Sequence, residues 1–440
     1  MTSGLLTTLK LFLNGSSRSR GPRRWAHLAL ALTIASAGLL VASEASAAPV
    51  RAQGRLTAAA ESSSTWRPTP GVVFNQPRGT SKQRTALIRR VKAGIKHAPK
   101  GSYIRFAMYS FDRRDVANAL IKAHKRGVRV QLIVNDNWTS SQTRRLRREL
   151  GTNRWKKNFM IICKGSCRGG MGNIHMKVYS FSQTGAATKV LMTGSGNLTD
   201  RAVNLQWNDQ HTFVDRPEFF DLFVKVFNQL KRDRRASPRR LAYGESDFDA
   251  LFYKDLQAWD SAFGRVRPAG DPVYQRLSRV DCQAPAGYGV NGHTSIRITM
   301  YGWNRYRGMY LAKKVGALKR QGCDIKVILS VPWDKVIAVL RSNHIPMKSA
   351  DYDINLELEE GKRVNFYSHL KVMALSGTYS GQPTTSVWTG SENWSPVSFR
   401  NDELIIHTTA PTVYAKYLEH FNFMWASYTH AMGVRPPGLP

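Results

Sequence analysis

The feature that most constrains how this 440-residue chain can fold is an internal repeat with a spacing near 195 residues. Residues 102–111 (SYIRFAMYSF) are echoed by residues 294–303 (TSIRITMYGW), an offset of 192. Each copy alternates apolar and polar positions, as a strand with one buried face does. A helical pattern follows each copy: Val116, Ala119, Leu120 and Ala123 in the first, Leu311, Val315 and Leu318 in the second. Each helix is expected to end at a glycine, Gly127 or Gly322, and to be followed by a strand over 128–134 or 324–329. Another amphipathic helix precedes the first copy, with Leu87, Val91 and Ile95 on one face. The chain therefore reads as two α/β units of one plan, 70–230 and 251–432. The intervening 231–250 opens with the charge run Lys231-Arg232-Asp233-Arg234-Arg235 and is expected to be a solvated linker.

The second part of each unit carries the chemistry. Unit one has His175-Met176-Lys177 and then Gly194-Ser195-Gly196-Asn197; unit two has His369-Leu370-Lys371 and then Gly390-Ser391-Glu392-Asn393. In an extended segment, residues two apart share a face. Each His thus projects with its Lys, while Ile174, Met176 and Val178, or Leu370 and Val372, turn to the core. One His-x-Lys pair is weak evidence, and a lone Gly-Ser-x-Asn is an ordinary turn. The combination occurring twice in register is a strong signal. Two His, two Lys and two Asn brought together suit phosphoryl transfer at a diester. One imidazole attacks phosphorus and the other protonates the leaving oxygen, while lysines and amides stabilise the developing charge. With the lysines in that role, no cofactor or metal is called for.

These residues resemble the phospholipase D superfamily, whose signature is His-x-Lys-x4-Asp followed by Gly-Ser/Gly-x-Asn, present twice. The resemblance covers about residues 70–430. It implies two pseudo-twofold-related α-β-α sandwich units with a mixed sheet in each and one active site at their interface. Carried across, it implies catalytic roles for His175, Lys177, Asn197, His369, Lys371 and Asn393, with Ser195 and Ser391 as supporting donors to substrate. Two departures stand out. The family Asp, five residues after Lys, is Ser182 in unit one and Ser376 in unit two. Members also often place an acidic residue after the Asn motif to hydrogen-bond the catalytic His. Unit two keeps it in Asn401-Asp402-Glu403; unit one reads Asn208-Asp209-Gln210, with Gln at the matching place. Asp209 could substitute only with a register shift of one residue, which would flip its face. Glu403 is accordingly expected to pair with His369 and favour its protonated form, making His369 the acid and His175 the nucleophile.

Composition bears on partner and compartment. Lys and Arg number 65 against 30 Asp and Glu, a formal charge of +35, while 42% of residues are hydrophobic. That apolar content excludes a disordered polyelectrolyte; the charge predicts attraction to polyanions without choosing among them. Residues 1–47 read as a cleaved export signal: Arg18, Arg20, Arg23 and Arg24, an apolar run over 28–41, then Ala45-Ser46-Ala47. Arg23-Arg24 leave a twin-arginine route open, although the residues after the pair match it poorly. Residues 48–69 are expected to be a flexible lead-in and 433–440 a Pro/Gly tail. In an exported chain the four cysteines point to two disulfides. Cys163 and Cys167 flank a tight turn, and Cys282 and Cys323 remain; the zinc alternative lacks a His pair at ligand spacing.

The expected function is that of a secreted phosphodiesterase, most readily a phospholipase D acting on phospholipid headgroups. A nuclease of the same superfamily comes second and a catalytically weakened polyanion-binding member third. Trp303, Trp388 and Trp394 near the motifs would serve a membrane-facing rim, and an anionic membrane surface is an expected partner. For nucleic acid, Arg144-Arg145-Leu146-Arg147-Arg148 and Arg154-Trp155-Lys156-Lys157 join basic residues to an aromatic, and the Gly-Ser-x-Asn form resembles the nuclease branch. Since one chain carries both half-sites, a monomer is expected.

Overall fold

The repeated alternation forms the centre of two sheets in the computed structural model, which describes residues 65–254, 268–350 and 366–432 and the backbone of 259–260 and 265–266. The expected signal, most of the lead-in and the tail lie outside the described residues. In the first half, strand Tyr103–Met108 lies parallel to Arg129–Asn135, which lies parallel to Phe159–Cys163. On its other side it meets Val178–Thr184 antiparallel. Ala187–Gly194, Asp209–Phe213 and Gly71–Phe74 continue the sheet to seven strands. The second half repeats this order. Ser295–Trp303 is parallel to Asp324–Pro332 and antiparallel to Lys371–Tyr379, which is followed outward by Gln382–Gly390 and Glu403–Thr408.

The helices sit where their apolar faces dictate. Ala86–His97 buries Leu87, Val91 and Ile95; Arg114–Lys125 buries Val116, Leu120 and Ala123; Arg305–Arg320 buries Leu311, Val315 and Leu318. The last two are followed by Gly127 at φ +87° and Gly322 at φ +98°, the left-handed conformation glycine adopts without a Cβ clash. These helices cover the outer face of each sheet. On the inner faces lie Pro217–Arg232, whose Phe219, Phe223 and Phe227 pack with residues of both sheets, and Pro411–Ser427. Each fully buried aliphatic or aromatic side chain here stabilises by roughly 1.5–3 kcal/mol. Among the described residues, no helix is long and apolar enough to cross a membrane.

The expected linker departs from its sequence reading. Leu241–Gly244 and Phe248–Tyr253 are strands of the second sheet, and Phe248–Tyr253 pairs antiparallel with Glu403–Thr408. That is the place Gly71–Phe74 takes beside Asp209–Phe213 in the first sheet. The alternation of Phe248, Ala250 and Phe252, which are buried, was hidden behind the preceding charge run. The second half thus starts near 241, and the connection is the short segment 233–240.

Cys163 bonds Cys167, and Cys282 bonds Cys323. The first bridge closes the turn that leaves strand Phe159–Cys163 at the end of the sheet where the site lies. The second ties the segment after Val280–Asp281, which pairs with Lys371–Tyr379, to the start of strand Asp324–Pro332.

Candidate active site

Each His-x-Lys segment enters the sheet as an extended run just before, or at, a strand that lines its half. Ile174, Met176 and Val178 are fully buried in the core shared by the halves, and Leu370 and Val372 in the neighbouring core. That anchoring turns His175 with Lys177, and His369 with Lys371, to the opposite face. The two segments are held by the other half of the chain. The backbone N–H groups of His175 and Met176 donate to Asp402 O at 3.0 and 2.9 Å. The N–H of His369 donates to Trp207 O at 2.9 Å. The repeat therefore closes reciprocally, and all four groups come within electrostatic reach: Lys371 acts on His175, and Lys177 and His175 act on His369.

The lysines are shaped by two residues that sequence reasoning passed over. Tyr109 lies edge-on to His175 at 5.4 Å between ring centres, with the Lys177 ammonium 5.5 Å from its ring. Tyr301 lies edge-on to His369 at 4.7 Å, with Lys371 4.7 Å from its ring. The two tyrosines are 192 apart, at one position of the repeat, so the signal was present in the aligned segments. Each Nζ also donates to the carbonyl of its own histidine. Burial pushes the Lys177 pKa down to about 7, with Glu403 opposing; burial and then Lys177 push Lys371 well below its ordinary value. Lysines this desolvated gain from an arriving anion.

The Gly-Ser-x-Asn loops are built by close strand approach. A Cβ on Gly194 or Gly390 would stand 2.3 or 2.1 Å from the carbonyl oxygen of Asp209 or Leu404. Asn197 Oδ1 accepts from Ser110 N at 3.4 Å, and Asn393 Oδ1 from Gly302 N at 3.2 Å. With those oxygens engaged, each amide has its NH2 to offer a phosphate. In the second loop, fully buried Arg307 donates to Asn393 O at 2.9 Å and pairs with Asp271 at 2.9 Å and with Glu392. The serines are placed differently from expectation. Ser195 Oγ donates to Asn208 Oδ1 at 3.3 Å and Ser391 Oγ to Glu403 Oε2 at 2.5 Å. Both serines are buried, and their hydroxyls brace the histidine partners.

The expected pairing of Glu403 with His369 is overturned. Both carboxylate oxygens of Glu403 lie 3.0 Å from His175 Nδ1, across the interface between the halves. His369 Nδ1 instead meets Ser195 O and Asn208 Oδ1, each at 3.1 Å. The match of Gln210 with Glu403 fails as well. Gly194 pairs with Gln210 and Gly390 with Ile405, so strand register sets Asn208 opposite Glu403. Gln210 lies further along the strand, and the Asp209 carboxylate accepts from Ser195 N at 2.8 Å and Thr389 Oγ1 at 2.6 Å. Burial raises the Glu403 carboxyl, but His175 with the hydrogen bonds from His175, Ser391 and Asn401 outweighs it and holds the group below the usual range. Burial lowers the His175 pKa, Glu403 opposing. Burial followed by Lys371, Lys177 and His175 lowers that of His369 much further.

The remaining sequence candidates fall outside the site. Ser182 Oγ accepts from Tyr103 N at 2.8 Å and Ser376 Oγ from Gly289 N at 3.0 Å. Both stand five residues down the strand from their lysine, roughly 17 Å away, so these departures leave the site untouched. Trp303, Trp388 and Trp394 are at most 5% exposed and belong to the second core, not to a rim. The basic segment 154–157 precedes strand Phe159–Cys163, at the opposite end of the sheet from His175. Trp155 there is 69% exposed, with the Lys231 ammonium 5.1 Å from its ring.

Comparison with known proteins agrees with this geometry. The family model described as cardiolipin synthase, PLD-like domain matches residues 91–231 and 291–425, one match per half. No curated protein matches the chain in sequence. Among solved structures, polyphosphate kinase from Porphyromonas gingivalis superposes with a TM-score of 0.52 at 13% identity over 84% of this chain; the chain spans 53% of the kinase, about half its length. Phosphatidylserine synthase from Haemophilus influenzae superposes with a TM-score of 0.52 at 10% identity, covering 83% of this chain and 90% of the synthase. These likenesses are of fold. With one family match on each half and the paired His-x-Lys segments facing one another, the chain belongs to the phospholipase D superfamily, in the family described as cardiolipin synthase, PLD-like domain.

Proposed function

We propose that the protein is an exported phosphodiesterase that hydrolyses phospholipid headgroups, without a metal, through a phosphohistidine at His175. The observation that carries this reading is the grip of Glu403 on His175 Nδ1. From sequence the carboxylate is expected to mark the acid, but burial outweighs Glu403 and keeps the His175 pKa below its ordinary value. The carboxylate instead fixes the Nδ1–H tautomer, leaves the Nε2 lone pair to attack, and stabilises the positive charge that grows on the imidazole as the N–P bond forms. As the P–O bond to the headgroup breaks, the oxygen takes a proton from His369 Nε2. Water then attacks phosphorus, giving a proton back to His369, and the N–P bonding pair returns to His175. Lys177, Lys371, Asn197 and Asn393 supply positive charge and donors around the phosphoryl oxygens. His369 is neutral in the free site by the direction of its pKa, and the incoming diester's negative charge favours its protonation.

Lipid is favoured over nucleic acid by the loops around the site. Met171, Tyr306 and Val397 are 63%, 67% and 48% exposed. Met171 precedes Gly172, which packs on Arg400, and Val397 lies in the short turn Pro396–Arg400 after Asn393. Tyr306 adjoins Arg307, the residue that holds Asn393. Exposed apolar side chains on segments adjoining those that build the site suit an acyl-chain surface, while the net charge suits anionic lipid. The exposed basic segment with Trp155 lies at the other end of its sheet, away from where a nucleic acid would be cut. The two disulfides suit an oxidising compartment, in keeping with the export signal expected from the sequence.

Purified protein lacking residues 1–47, assayed with EDTA on phosphatidylcholine vesicles, plasmid DNA and RNA, tests this reading. Release of choline from vesicles is expected. Cleavage of nucleic acid alone would make the protein a nuclease, and cleavage of neither would contradict both enzymatic readings.

A further inference from the structure

The two half-sites are equivalent in backbone and unequal in chemistry. Asn208 and Glu403 occupy one position: each accepts from the serine of its own Gly-Ser-x-Asn loop and from the Nδ1 of the opposite histidine. In each half the next backbone N–H, Asp209 N or Leu404 N, returns a bond to that serine hydroxyl. The surroundings differ in polarity. Around Glu403 stand donors: His175, Ser391 and Asn401 Nδ2, the last at 2.9 Å. Around Asn208 stand carbonyls: its Nδ2 donates to Ala202 O at 3.2 Å and Gln206 O at 3.4 Å. A carboxylate at 208 would face those oxygens, so the first half is built around an amide.

We infer that Asn208 is a positioning residue for His369, whose amide oxygen holds the ring with its proton on Nδ1 without supplying negative charge, so that His369 is committed to carrying the proton and His175 to carrying the phosphoryl group. This rests on the phosphodiesterase reading above. With both Nδ1 acceptors neutral, the second proton on Nε2 is weakly held. The charged and titratable groups that face His369 are Lys371, Lys177 and His175, with Tyr301 and Tyr367 against its ring. The cations all disfavour imidazolium; of the acids that act on Lys371, Asp209 is turned to Ser195 N, Thr389 and Tyr417, and Glu403 to His175, Ser391 and Asn401. A histidine so placed gives its proton readily to a poor leaving group, an alkoxide, and contributes little when the leaving group departs unaided.

The test uses 15N-histidine NMR and kinetics on the wild type, Asn208→Asp and Asn208→Ala. In the wild type, neutral His369 is expected to hold its proton on Nδ1. Asn208→Asp should raise its titration midpoint by about one pH unit or more, moving that of His175 less. Asn208→Ala leaves Ser195 O as the other Nδ1 acceptor, so it should loosen the ring, shift the His369 Nδ1 resonance and lower kcat at least tenfold for a short-chain phosphatidylcholine, while a 4-nitrophenyl diester is cleaved nearly as before. An unchanged His369 15N spectrum in Asn208→Ala, or equal losses on both substrates, would overturn the inference. The NMR arm needs no substrate, so a wrong substrate assignment cannot imitate its failure. Asn208→Ala keeps the test open if Asn208→Asp does not fold.

Discussion

Glu403, from the second half of the chain, holds His175 of the first half with both carboxylate oxygens 3.0 Å from Nδ1. The contact spans 228 residues of sequence and makes the histidine of one half depend on the other. Glu403→Gln keeps the shape but removes the charge and permits the wrong ring tautomer. A fall in kcat of roughly 10²- to 10⁴-fold is expected with KM little changed, measured by steady-state kinetics on choline release.

Lys177 should give anion binding a pH dependence near neutrality. Burial puts its pKa at about 7, so its charge is present below that pH and lost above it in the empty site. Inhibition by tungstate, whose charge is constant between pH 7 and 9, is expected to weaken steadily across that range. In Lys177→Met the slope should flatten and kcat fall roughly 10²- to 10³-fold.

Much of this site was legible because a duplication writes the same chemistry twice. The histidines, lysines and asparagines stood at offsets of 194 and 196, and the folded chain brings them together. The partner of each histidine was not legible. Asn208-Asp209-Gln210 and Asn401-Asp402-Glu403 look like one triplet repeated at an offset of 193, whereas strand register equates Asn208 with Glu403 at 195. Letter similarity aligned the wrong pair because Asn-Asp recurs in the two triplets two residues out of step with the strand register. The crossing of each pair between halves has no local sequence signal. The tryptophans misled for another reason: a large aromatic near a motif is as well explained by core packing.

The two disulfides should separate stability from activity. Loop-closure entropy predicts about 4 kcal/mol for Cys282–Cys323, which spans 41 residues, and about 2 kcal/mol for Cys163–Cys167, which spans 4. Yet the smaller loop carries Ser166, whose hydroxyl donates to Asp402 Oδ2 at 2.9 Å, beside the carbonyl that receives His175. Urea unfolding of the double Cys→Ser variants should rank Cys282/Cys323 as the costlier loss, while kcat should fall more in Cys163/Cys167.

Acid should loosen the fold through a buried histidine outside the chemistry. His420 stacks on Phe74 at 4.0 Å with Nε2 buried and unpartnered among the described residues, and burial pushes its pKa down to about 4, Asp209 opposing. From an unfolded value near 6.5 down to about 4, the unfolded chain binds a proton the folded chain does not, so stability falls as pH drops through that window. Asp402, pushed up to about 6 by burial against the pull of Arg168, acts in the opposite sense below pH 6. His420→Phe keeps the stack and should recover about 1–3 kcal/mol at pH 4 relative to pH 7, read from Tm across that range.

The assignment of His175 as nucleophile is tested most directly by trapping the intermediate. Protein turning over a phospholipid labelled at phosphorus is quenched in alkali, which preserves phosphohistidine, and digested for mass spectrometry. The label is expected on His175, present in wild type, enriched in His369→Asn and absent from His175→Asn. Label on His369, or turnover of the lipid with no labelled histidine under any of these conditions, would contradict the account.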